Sequence, residues 1–118
     1  MDRDKGMKIS YTNKDIEEQS TNLRRAKKDF PEKIAKKLHQ TINFIEAATS
    51  LAVIKNHTPF HFHPLKGKME GQYAIDIDGR KSEYRLILQF DGYNNEQIFG
   101  TPTLIEVIQI KEVSKHYE

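Results

Sequence analysis

With 118 residues, the chain has the length of one domain with one modest core. It contains no cysteine, which excludes a disulfide framework, a thiolate metal site and a cysteine nucleophile. The formal charge of +2 is too small to announce a nucleic-acid partner by itself.

The distribution of charge says more than the sum. Arg24, Arg25, Lys27, Lys28, Lys33, Lys36 and Lys37 crowd one stretch, opposed locally by Asp29 and Glu32. Such a run serves either as a solvated helical surface or as a surface for RNA phosphates or an acidic partner. Met1 to Gly6 is charged and lacks the apolar centre of a signal peptide, and no later segment approaches the length of a membrane span. A single domain over residues 1–118 in the cytoplasm, with no membrane contact, is the expectation. Met7 is a possible alternative start, and residues 1–6 are expected to form a flexible extension.

Lys8 to Tyr11 alternates, with Ile9 and Tyr11 on one side, as a half-buried strand needs. Thr12-Asn13-Lys14-Asp15 has the pattern of a helix start, and Ile16, Leu23, Ala26 and Phe30 share one helical face. This predicts a first helix from Asn13 to Lys28. Pro31 suits the first turn of a new helix and pushes Phe30 out of helical geometry, so the chain breaks there. Ile34, Leu38, Ile42, Ile45 and Ala48 then form the stripe of a second amphipathic helix. So short a turn predicts an antiparallel helical hairpin.

His57-Thr58-Pro59 interrupts helix, and the remainder reads as strands. Gln72 to Ile77 and Glu83 to Phe90 are joined through Asp78-Gly79-Arg80, a hairpin-type connection. Asp91 to Asn95 and Gly100-Thr101-Pro102 mark a long loop, and Leu104 to Val113 is a further strand. A strand, a helical hairpin and a run of strands predict an α+β fold, with the helices on one face of a mainly antiparallel twisted sheet. The opposite face is then free to carry a site.

Several blocks resemble, in order and spacing, those of HigB-type toxins of the RelE/ParE superfamily. They are Ala47-Ala48-Thr49-Ser50-Leu51, His63-Pro64-Leu65-Lys66-Gly67, Gly71-Gln72-Tyr73-Ala74-Ile75 and Tyr84-Arg85-Leu86-Ile87-Leu88. The ending Ile110 to Tyr117 looks like a variant of that family's terminal block. The resemblance implies a RelE-like fold and a type II toxin acting as a ribosome-dependent endoribonuclease on messenger RNA. It also implies a HigA-type helix-turn-helix antitoxin, DNA contact only through the complex with that antitoxin, and no cofactor or metal. Because the ParE branch of the same superfamily inhibits DNA gyrase by binding, fold alone does not choose between the two activities.

Metal-independent RNA cleavage needs a base for the 2′-hydroxyl, cations for the transition state and an acid for the leaving oxygen. Arg85 is a cation on a strand, on the face opposite Leu86 and Leu88, and it matches a site arginine of the family. Its planar guanidinium suits bidentate phosphate contact, unless an acidic neighbour such as Asp76 or Glu106 holds it. Lys66 sits in a Pro-Leu-Lys-Gly turn as a point charge for phosphate, where Gly67 permits close approach of the backbone.

His63 carries an imidazole, a natural proton-transfer group, and alternates with His61 around Phe62, so both rings should face one side. The two histidines alone do not make a metal site. At the end of the chain, Lys115-His116-Tyr117 stands where the family often has Asp-Tyr-His, leaving His116 and Tyr117 as candidates for proton transfer and positioning. Tyr73 and Tyr84 are able to stack on bases, but they read better as core or edge residues.

Overall fold

The computed structural model describes residues 6–115. The first strand, β1 (Lys8–Tyr11), buries Ile9 and Tyr11 more than their neighbours, as the alternation requires. Asn13 then caps α1 (Lys14–Thr21), its side chain accepting from the Ile16 N–H at 3.1 Å.

The single helix expected up to Lys28 is divided at Asn22. Its N–H closes α1 onto the Glu18 carbonyl, while its side chain accepts from the Arg25 N–H at 3.2 Å and starts α2 (Leu23–Asp29). An asparagine that bonds the backbone ahead of it competes with helix continuation, which periodicity alone does not register. The break leaves Leu23 37% exposed, off the face it was expected to share.

Helix α3 (Glu32–Ala47) follows the stripe closely. Pro31 stands at its N-cap in extended geometry, and Ile34, Ala35, Leu38, Thr41, Ile42 and Ile45 are buried. Both shorter helices pack against α3, completing the expected hairpin. Extended backbone at Ala48 ends α3, and the Ser50 side chain caps a separate α4 (Leu51–Asn56).

Four more strands complete the sheet: β2 (His63–Pro64), β3 (Tyr73–Asp76), β4 (Tyr84–Gln89) and β5 (Val107–Lys115). Their order across the sheet is β1-β5-β4-β3-β2, with β1 parallel to β5 and the other pairs antiparallel. The last strand begins later than expected, because Pro102–Leu104 winds into a 3-10 turn that leaves Leu104 70% exposed.

The loop expected before it contains a helix, α5 (Asn95–Gly100), started by a reciprocal capping box between Asn94 and Gln97. That pair was legible in the sequence as a start signal. The connection through Asp78 and Gly79 carries both residues at positive φ, 71° and 82°, and its last ladder bond runs from the Ile77 N–H to the Tyr84 carbonyl. The connection is therefore longer than a tight two-residue hairpin.

The sheet has two unlike faces. Tyr73, Ile75, Leu86, Leu88, Ile108 and Ile110 join the helices in the main core with Ile16, Leu38, Ile45, Leu51 and Ile54. On the other face Leu65, Ala74 and Ile87 form a small cluster under Met69. Ile75 is completely buried between β4 and the helices. Ile75→Ala should therefore lower the unfolding free energy by about 2–5 kcal/mol, read from urea denaturation. Leu104→Ala should change it by roughly 0.5 kcal/mol or less. Equal losses at the two positions would contradict this placement of the core.

Candidate functional site on the open sheet face

Register brings residues distant in sequence onto the sheet face opposite the helices. His63 lies opposite Ala74, Ala74 opposite Ile87, and Asp76 opposite Arg85, which in turn lies opposite Ser114. Directly opposed residues point to one side of a sheet. His63 and Arg85 therefore share this face, separated by the apolar Ala74 and Ile87, with Lys66 just beyond Leu65 at its edge.

Arg85 is turned inward. Its Nε stands 3.1 Å from Asp76 Oδ1, and its Nη1 donates to the carbonyls of Ser82 at 2.7 Å and Tyr84 at 2.9 Å. The Asp76 side chain is fully buried and that of Arg85 is 19% exposed. The contact with Asp76 is Coulombic, not an aligned hydrogen bond, since neither carboxylate oxygen accepts a hydrogen bond among the described residues. Of the two partners that the sequence left open for this arginine, the fold contains the ion pair with Asp76. Among the described residues Nη2 is the guanidinium nitrogen without a hydrogen bond or ion pair.

Lys66 is exposed and makes no ion pair among the described residues. Its backbone precedes a 3-10 turn over Gly67–Met69. Gly67 has a φ of 66° with open space around it, so glycine serves the turn's left-handed geometry there.

The His61 and His63 rings meet, their centroids 4.6 Å apart. The shared orientation expected from alternation is present, although His61 is not extended: its φ and ψ are 49° and 53°. His63 Nδ1 lies 2.8 Å from the His61 carbonyl oxygen. A carbonyl oxygen only accepts, so Nδ1 carries the proton, and a neutral His63 ring keeps its proton-accepting lone pair on Nε2. Burial holds His61 below the ordinary histidine range, and the charges of Arg80, His63 and Arg85 push the same way while Asp76 opposes them.

His116 and Tyr117 lie outside the described residues. Tyr73 is buried in an aromatic cluster, stacked on Phe62 at 5.4 Å and hydrogen-bonded to Asn95, and burial raises its hydroxyl pKa. Tyr84 packs edge-on against Phe30. Both therefore belong to core and edge. Among the described residues no group of three His, Asp or Glu side chains stands close enough to hold a metal ion.

The basic stretch is less free than its sequence suggests. Arg25 alone engages Asp15, Glu18 and Asp29, Lys36 pairs with Glu32, and Lys33 pairs with Asp78. Arg24, Lys27, Lys28 and Lys37 make no ion pair among the described residues. Beside α3, a cleft of about 400 Å³ is lined by Lys37, Gln40, Phe44, His57 and Phe60 among others.

A five-stranded mixed sheet with helices on one face and a polar constellation on the other is an α+β fold of the kind found in RelE/ParE-like toxins. The YoeB/ParE toxin from Agrobacterium tumefaciens superposes with a TM-score of 0.51 at 17% identity, covering 94% of this chain and 100% of that one. The toxin–antitoxin complex RelBE2 from Mycobacterium tuberculosis also matches, with a TM-score of 0.43 at 17% identity over 93% of this chain and 98% of that one. No protein-family model and no curated protein matches the sequence. At this identity the likeness is one of fold.

The Asp76–Arg85 pair yields a stability prediction. Arg85→Ala leaves a buried carboxylate without its counter-charge and should cost about 3–5 kcal/mol. The double variant Asp76→Leu/Arg85→Met should recover most of that loss in the same urea titration. A single variant as stable as the wild type would show that the pair contributes nothing to the fold.

Proposed function

We propose that this chain is the toxin of a type II toxin-antitoxin system, a metal-independent, ribosome-dependent endoribonuclease of the HigB type that cleaves translated messenger RNA. The observation that carries the reading is convergence. His63 and Lys66 come from one block and Arg85 from another, and register gathers His63 and Arg85 on one sheet face with Lys66 close by along the chain. The shared fold with a protein described as a YoeB/ParE toxin agrees with it.

In this reading the Nε2 of a neutral His63 takes the 2′-hydroxyl proton. Lys66 and the remaining Nη2 edge of Arg85 stabilise the charge that develops on phosphate. His116 and Tyr117 serve proton transfer to the leaving group and positioning. A ribosomal A site would supply the RNA backbone in position, which suits a chain whose own site has so few cations.

The partner proposed is a HigA-type helix-turn-helix antitoxin encoded beside this chain, which alone brings the complex to DNA. Arg24, Lys27, Lys28 and Lys37, cations of the helical hairpin without ion pairs among the described residues, offer it a docking surface remote from the open face. Arg25 is excluded from that role by its own carboxylates.

Induction of the chain in a bacterial host should arrest growth and create new messenger RNA ends only in translated regions, mapped with and without translation. His63→Ala should slow cleavage by roughly a hundredfold or more, and Lys66→Ala should act in the same direction less severely while leaving stability unchanged. Intact messages together with trapped gyrase–DNA complexes would move the assignment to a ParE-like toxin that inhibits gyrase by binding.

A further inference from the structure

Between a 3-10 turn over Thr58–Phe60 and β2, the chain holds one residue, His61, in left-handed geometry. Phe60 is buried against Phe44 and His57, with ring centroids 5.0 and 4.6 Å away. Phe62 lies flat on Tyr73, the rings 13° apart, and also meets Phe90 and Phe99. Both aromatic neighbours of His61 are therefore anchored in the core, and the single residue between them must absorb the change of direction.

His61 does so in the left-handed region, with its N–H donating to the Thr58 carbonyl at 3.0 Å. A non-glycine residue stays there only when its surroundings over-determine it, and such residues gather at functional sites. The consequence is local: the His61 carbonyl oxygen is turned onto His63 Nδ1 at 2.8 Å.

We propose that His61 is a positioning residue whose left-handed backbone, through its carbonyl, fixes His63 in the Nδ1–H tautomer and so commits Nε2 to accepting protons. The backbone carries this role, not the imidazole of His61. The inference takes its catalytic meaning from the nuclease reading, but the tautomer itself is measured without any RNA.

Ring ¹⁵N NMR of the full chain, recorded above the titration range of histidine, reports which nitrogen of His63 bears the proton. The wild type should show Nδ1–H. His61→Gly, which removes the ring and favours left-handed geometry, should keep that signature. His61→Val, whose β-branched side chain opposes the geometry, should release His63 toward the Nε2–H form that predominates in free imidazole side chains. If the valine variant does not fold, His61→Ala against His61→Gly makes the same comparison.

On ribosomes the glycine variant should then cleave messenger RNA faster than the valine variant, with the difference in kcat and not in KM. A wild-type His63 protonated on Nε2, or a folded valine variant that keeps Nδ1–H, would overturn the proposal. Absence of cleavage by the wild type, with the tautomers as expected, would leave the positioning intact and sink only the nuclease reading.

Discussion

Strand β4 is paired on both sides, to β3 through Ile75–Leu86, Ala74–Ile87 and Asp76–Arg85, and to β5 through Leu86–Val113 and Arg85–Ser114. Side chains alternate along it, so a slip of one residue would exchange its two faces. Leu86 and Leu88 would then leave the core, and Arg85 would enter it among isoleucines. The helices can cover only the face that carries Leu86 and Leu88, because Leu38, Ile42 and Ile45 on α3 need that surface. Burial on one side therefore places the polar residues on the other, with no further instruction needed to assemble them.

What the open face can do depends on how tightly its groups are held. Arg85 is fixed by a buried carboxylate and two carbonyls, leaving one edge of its guanidinium. A cation arranged in this way has a fixed orientation. His63 is oriented by a backbone carbonyl in the same spirit. Lys66, on a turn, is the exposed member of the set. Two of the three groups are thus held by fixed partners, while the third is exposed.

The helical hairpin illustrates how charge in sequence and charge in space differ. Along the sequence Asp29 and Glu32 are the acids local to the basic stretch, yet folding adds Asp15 and Glu18 from α1 and Asp78 from the β3–β4 connection. Exposed pairs of this sort contribute little to stability. They do decide which cations remain for a partner, and those lie on α2 and the adjoining part of α3, away from the open face.

The sequence by itself determined the α+β class, the stripe of α3 and the strands around Ile75 and Leu86. Each rests on local periodicity, caps or turn chemistry, which a short window contains. It overextended the first helix, because the competing bond of Asn22 to the Arg25 N–H is invisible to periodicity, and it passed over α5 although the Asn94–Gln97 capping pair was present. For Arg85 it left open whether the cation met phosphate or Asp76, since that choice depends on a cross-strand register that only the folded sheet defines. The same holds for His61: its left-handed backbone follows from two phenylalanines anchored in the core, a constraint that exists only once α3, β3 and the aromatic cluster have met.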